Sequence, residues 1–194
     1  MPKVCFIRHA ESQSNIGGRS QDPVAIELSP RGLDDAKAIP DRFSTPPALI
    51  LTSRDVRTKQ TARYTLETFP SVPHEEWEIH EFTYLSPPKY RNTTLLERLP
   101  DVNKFWSQAD PLYKDGEGAE SFEEFIERCR RVVDKLRSRQ GGLILAFSHQ
   151  QFIAGIKWLL EGRLSKLDQK TMCDFRVYHK ADPIKNCGMV EFDL

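Results

Sequence analysis

The stretch Val4-Cys5-Phe6-Ile7-Arg8-His9-Ala10-Glu11-Ser12, with Asn15 six residues beyond the histidine, decides how the chain is read. An apolar run ends abruptly in Arg8-His9, then in small and polar residues. A buried strand whose carboxyl end opens into a site has this pattern. An imidazole next to a guanidinium suits phosphoryl chemistry: the ring nitrogen attacks phosphorus while the guanidinium holds the phosphate oxygens. A surface Arg-His pair at a strand end would look the same in isolation, so the decision passes to the rest of the chain.

Two further apolar runs break in the same way. Ala48-Leu49-Ile50-Leu51 predicts a short buried strand that runs through Thr52-Ser53-Arg54-Asp55-Val56-Arg57 into a helix over 58–68. Leu143 to Phe147 predicts a central strand delivering Ser148-His149-Gln150 to a helix over 152–160. Helix N-termini present free N–H groups and the positive end of a dipole, so they attract phosphate. Arg57 in such a first turn is unfavourable with the dipole, which favours an anionic partner; a salt bridge to Asp55 is the alternative, with Arg54 and Arg63 as competing candidates. Three strands thus end in Arg8-His9, Arg57 and His149, and such ends converge on one ligand in an open α/β sheet.

Around these strands the remaining elements fall into place. Residues 13–27, with Gly17-Gly18, Arg19 and Gln21, have no apolar period and form a long loop, a length that argues for function. Ser29-Pro30 caps a helix carrying Leu33, Ala36 and Ile39, which Pro40 distorts or ends. Glu75 to Phe82 alternates as a strand. The proline-rich segment 85–118, with a short helix over 101–108, is too short to hold its own core and is read as an insertion covering the site. Ser121 and Glu124 form a capping box for a helix to about Ser138, with Phe122, Phe125, Ile126, Cys129, Val132, Val133 and Leu136 as its core stripe. Residues 188–192 make a final strand.

Composition narrows the class. A chain of 194 residues suits one domain. With 28 basic against 28 acidic residues, no global field favours a nucleic-acid polymer or an anionic membrane, so phosphate recognition is local. No secretory leader is visible, and no apolar stretch approaches the roughly 20 residues of a membrane helix. Cys5, Cys129, Cys173 and Cys187 are scattered, which predicts free, mostly buried thiols in a reducing cytoplasm and no zinc site. Trp106 and Trp158 suit a core or an interface equally.

Five short motifs in order then give a resemblance. Arg8-His9-Ala10-Glu11 with Asn15 is similar to the Arg-His-Gly-Glu pattern of the histidine phosphatase superfamily, also called phosphoglycerate-mutase-like. Leu28-Ser29-Pro30-Arg31-Gly32 resembles its Leu-Thr-x-x-Gly helix start, and residues 53–62 (SRDVRTKQTA) its Ser-Pro-Leu-x-Arg-Ala-x-x-Thr-Ala. Glu120-Ser121 resembles its Gly-Glu-Ser, with Ala119 for the glycine, and Phe147-Ser148-His149 its Val-Ser-His-Gly. The resemblance spans nearly the whole chain. It implies a three-layer α/β/α sandwich with a mostly parallel central sheet.

The resemblance also implies a metal-independent phosphomonoester hydrolase of the histidine acid type, without cofactor, acting on a small phosphorylated substrate, a phosphoprotein included. His9 would be the nucleophile, neutral, with its other ring nitrogen donating to a backbone carbonyl. Arg8, Arg57 and His149 would surround the phosphoryl group, joined by Asn15 and, in place of the family's glycine, by Gln150. Glu81 would protonate the leaving alkoxide; Glu75, Glu76 and Glu78 suit a solvated strand face. Arg19 and Gln21 fall in the family's substrate loop, where Ala25 replaces an aspartate. A phosphoglycerate-mutase-type phosphotransferase is the alternative, and a phospho-ligand-binding module without catalysis a further one. The short 85–118 segment favours hydrolysis. From it Tyr84, Lys89, Tyr90 and Arg91 are candidate contacts to the rest of the substrate, although a solvated loop face suits most of them.

Overall fold

A five-stranded sheet, in the order β3-β2-β4-β1-β5, carries the architecture. Its strands are β1 (Pro2–Arg8), β2 (Leu49–Thr52), β3 (His74–Glu76), β4 (Gly142–Ser148) and β5 (Met189–Asp193). All neighbours pair in parallel except β5, which runs antiparallel to β1 at the edge. The structure is a computed structural model describing residues 2–164 and 166–194. Met1 and Ser165 lie outside the described residues.

Alternation along the strands builds two cores. Val4, Phe6, Leu49, Leu51, Ile144 and Ala146 face one way, and Cys5, Ile7, Ile50, Leu145 and Phe147 face the other. On the first face lie α3 (Leu95–Gln108), α4 (Phe122–Arg137), α5 (Gln150–Leu160) and α6 (Gln169–Ala181). On the second lie α1 (Pro30–Lys37) and α2 (Val56–Thr68). The result is the expected three-layer α/β/α sandwich. Trp106 and Trp158 are both buried in the first core. Phe82 stacks on Phe125 with ring centroids 4.4 Å apart, so truncating either would cost about 3–5 kcal/mol. No described helix is long and apolar enough to cross a membrane.

Three expectations need correction, and one helix lies outside all of them. The strand expected over 75–82 is confined to His74–Glu76. Beyond Trp77 the chain leaves the sheet, because buried Arg128 of α4 supplies the missing donors: its Nη1 donates to the carbonyls of Glu78 and His80. Ser148 Oγ likewise donates to the Ile79 carbonyl at 2.6 Å. The helix expected over 101–108 begins at Leu95 instead, opened by a Thr94–Glu97 capping box, with Pro100 inside it. That box satisfies the orphan N–H groups of the first turn, and the apolar face of the helix outweighs the proline. The helix after β4 starts at Gln150, two residues earlier than expected. Finally, α6 was not foreseen, although Asp168 caps it and Met172 and Phe175 are buried at helical spacing.

Gly32 shows how the motifs interlock. A Cβ there would lie 2.0 Å from the Glu11 carbonyl oxygen. Ser29, the cap of α1, donates from its amide to that same carbonyl and from Oγ to the Glu11 carboxylate at 2.7 Å. The start of α1 therefore docks directly on the loop that follows His9.

Candidate active site

Adjacent strands β1 and β4 present the two histidines side by side. Arg8 is in register with Ser148, and the His9 amide donates to the Ser148 carbonyl. The rings of His9 and His149 lie 5.2 Å apart. His9 Nδ1 sits 2.7 Å from the carbonyl of Ala10 and donates to it, as anticipated. That bond fixes the tautomer and leaves Nε2, with its lone pair, as the ring atom open to the cavity. Burial, then Arg57 and Arg8, hold the His9 pKa well below the usual imidazole range, so the ring is neutral.

His149 differs. It is fully buried, Nδ1 accepts from Arg57 Nη2 at 3.0 Å, and Nε2 donates to Ser53 Oγ at 2.9 Å. Arg57, the second residue of α2, is also held by the Pro23 carbonyl and by Asp55 Oδ2 at 2.8 Å. Asp55 Oδ2 is 3.2 Å from His149 Nε2. The ion pair weighed as an alternative for Arg57 thus exists, within a buried Asp55–Arg57–His149 cluster.

A cavity of about 190 Å³ opens above His9. Arg8, Ser12, Asn15, Arg54, Asp55, Arg57 and Glu81 line its polar part. Arg8 donates from Nη1 to the Ile184 carbonyl, while its buried Nε has no partner among the described residues. Asn15 accepts at Oδ1 from the Ser12 amide, so its amide nitrogen is the atom left to donate. The Glu81 carboxylate sits at the start of α5, accepting from the amides of Gln151 and Phe152 and from its own neighbour Phe82. Burial raises its pKa against the pull of those amides, Arg57 and Arg8. Glu75 and Glu76 instead make surface ion pairs with Arg139 and Lys59, and Glu78 reaches Arg131.

Several sequence candidates are not brought to this cavity. Gln150, expected on the phosphate, turns its amide to the His179 carbonyl of α6 at 3.1 Å, because the first turn of α5 faces that helix. His149 lies beneath the lining residues and touches the cavity wall through Arg57, Asp55 and the neighbouring His9 ring. Arg19 is drawn to Glu97 and the Asn92 carbonyl of the covering segment, and with Gln21 it lines a neighbouring groove. Lys89 is held by Asp101 and Asp115, and Arg91 is exposed.

From the covering segment, Tyr84, Leu85, Tyr90, Leu95, Arg98 and Val102 do form a wall. Arg98 was not singled out. It is buried, with its guanidinium 4.4 Å from the Tyr90 ring centroid, and it ties Ser20 to Thr93. The Thr94-Leu95-Leu96-Glu97 capping signature could have placed it on a helix. Ser53 and Asn186 were missed too; Asn186 Nδ2 donates to the His9 carbonyl, a contact between distant segments that no local pattern announces. Among the described residues, no group of three or more His, Cys, Asp or Glu is placed to hold a metal ion.

Comparison with known proteins places the chain in a family and a fold. The chain is 27% identical over 182 residues to an adenosylcobalamin/alpha-ribazole phosphatase of Salmonella typhimurium, covering 90% of this chain and 85% of that protein. The Escherichia coli protein of the same name is 26% identical over the same shares. A phosphoserine phosphatase from Entamoeba histolytica, solved with 3-phosphoglyceric acid, superposes with a TM-score of 0.73 at 24% identity, over 100% of this chain and 91% of that one. The mycobacterial glucosyl-3-phosphoglycerate phosphatase superposes with a TM-score of 0.70 at 19% identity, covering 98% and 89%. These likenesses establish the fold. The model of the histidine phosphatase superfamily (branch 1) matches residues 4–180, and this chain belongs to that family.

Proposed function

We propose that the protein is a metal-independent phosphomonoester hydrolase that works through a phosphohistidine on His9. The observation that carries the reading is the His9 ring itself: neutral, locked by Ala10, and presenting Nε2 to a cavity that also holds Arg8, Arg57 and Glu81. A neutral imidazole whose other nitrogen donates to a carbonyl is a competent nucleophile toward phosphorus. Arg8, Arg57 and the Asn15 amide are positioned to neutralise phosphoryl oxygens as charge redistributes, with His149 holding Arg57 from below.

Glu81, its pKa raised, delivers a proton to the leaving alkoxide; in the second half-reaction the carboxylate takes a proton from the water that attacks phosphohistidine. The two steps balance: the ester P–O bond breaks as N–P forms, then N–P breaks as water supplies the new P–O bond. The wall of segment 85–118 covers the site and contacts the substrate beyond its phosphate. The relatives' names point to a small phosphorylated substrate. Four free thiols support a reducing cytoplasm.

Phosphate release from a panel of alkyl, sugar, nucleotide and phosphotyrosine esters, with EDTA present, tests this reading. Release by wild type and none by His9→Ala is the expected result. Equal release by both would remove His9 as nucleophile.

A further inference from the structure

We infer that Asp55 couples anion binding at this site to the uptake of one proton. The inference rests on the phosphate site proposed above and concerns a residue that the mechanism does not use. In the motif this chain resembles, a leucine stands where Asp55 does; here a buried carboxylate lines the phosphate cavity.

Its Oδ2 lies 2.8 Å from Arg57 Nη2 and 3.2 Å from His149 Nε2. An incoming phosphoryl group has to share the Arg57 guanidinium with this resident anion. Like charges that share one cation in an enclosed site cannot both stay ionised without a large repulsion, and a proton taken up by one of them relieves it. The Asp55 carboxylate is where that proton has a place, because His149 already carries a proton on Nε2 and its Nδ1 lone pair takes the Arg57 N–H.

The surroundings favour this exchange. From the start of α2, Arg54 and Arg57 face Asp55, from α5 His149 does, and α4 adds the field of Arg128. Asp22, in the loop before α1, opposes them. Across the cavity stand Arg8, His9 and Glu81. These cations keep a carboxylate tolerable while the cavity holds no anion, yet burial already raises the Asp55 pKa, so a second anion has little further to move it. Phosphate affinity therefore falls as pH rises, for a reason separate from the titration of phosphate itself.

Sulfate is the probe, because it carries no titrating proton near neutrality. Binding to the full chain is measured by calorimetry across pH, in buffers of differing ionisation enthalpy, for wild type and Asp55→Asn. Wild type should take up close to one proton per sulfate, with affinity falling by about tenfold per pH unit on the alkaline side. Asp55→Asn should take up none and bind with little pH dependence. Proton uptake of the same size in Asp55→Asn would overturn the inference. So would binding to wild type without proton uptake, which needs no variant to fold. No sulfate binding to wild type would overturn the phosphate site and this inference together. Proton-coupled sulfate binding in a protein that hydrolyses no ester would support the inference while removing only the hydrolase reading.

Discussion

His9 and His149 sit at the ends of neighbouring parallel strands, on rings 5.2 Å apart, and both are buried. Their imidazoles are nevertheless arranged for different work. His9 has one nitrogen on a backbone carbonyl and the other toward the cavity, whereas both nitrogens of His149 are engaged, by Arg57 and by Ser53. Burial lowers both pKa values below the usual imidazole range, so charge does not separate them. Hydrogen-bond partners do. The comparison teaches that a histidine's role follows from which nitrogen is left free.

The strongest challenge to this asymmetry is a direct exchange of losses. His9→Ala should lower turnover by at least ~10⁴-fold, since it removes the imidazole proposed to carry the covalent intermediate. Trapping of labelled phosphate on acid-quenched wild type, and its absence in the variant, checks the assignment. Equal trapping in both would break the comparison.

Glu81→Gln should follow, costing ~10²–10⁴-fold on alkyl esters and much less on a nitrophenyl ester, whose leaving group needs no proton. The sign of its pH dependence is fixed. The acid acts while protonated and its pKa is raised, so activity on alkyl esters should fall as pH climbs through that pKa. A steady-state pH profile for the two ester classes separates the cases.

His149→Gln should lose less, ~10²-fold, because it removes support for Arg57 and leaves the nucleophile intact. The loss should appear with labelled phosphate still trapped on His9. A loss as deep as that of His9→Ala, without trapping, would erase the distinction between the two rings.

A smaller effect concerns a third histidine, which has no part in the cavity. His179 is buried against Trp106 and Phe175, and neither ring nitrogen has a partner among the described residues. Burial, with lesser pushes from Lys180 and Arg176, brings its pKa down to about 4. The folded pKa lies below the unfolded value, so the unfolded chain binds more protons over this window. Stability should be complete above the unfolded pKa and drain away as pH falls toward 4, at up to ~1.4 kcal/mol per pH unit. Urea unfolding at pH 5 and 7 for wild type and His179→Phe tests this; the variant should lose part of the acid sensitivity.

Much of this molecule is legible before folding. Apolar runs that break at Arg8-His9, at Ser53 to Arg57 and at His149 reveal three parallel strands and the edge where they end, since a strand covered on both faces has to be continuously apolar. Capping residues announce α1 and α4 because orphan amides need local acceptors. The nucleophilic role proposed for His9 implies a ring nitrogen donating to a backbone carbonyl, and the Ala10 carbonyl is there to receive it.

Other features belong to the tertiary structure alone. Whether Gln150 faces phosphate or α6 depends on the rotation of α5 against a helix nearly 30 residues away, and the expectation failed there. Arg128 replaces a sheet partner for residues 78–80 from α4, across some 50 positions of chain. The Asp55–Arg57–His149 cluster joins α2 to α5, and a local pattern shows only the Asp55–Arg57 half. Short-range sequence encodes which groups need partners. Packing, which sums contacts between segments far apart in the chain, decides which partners they receive.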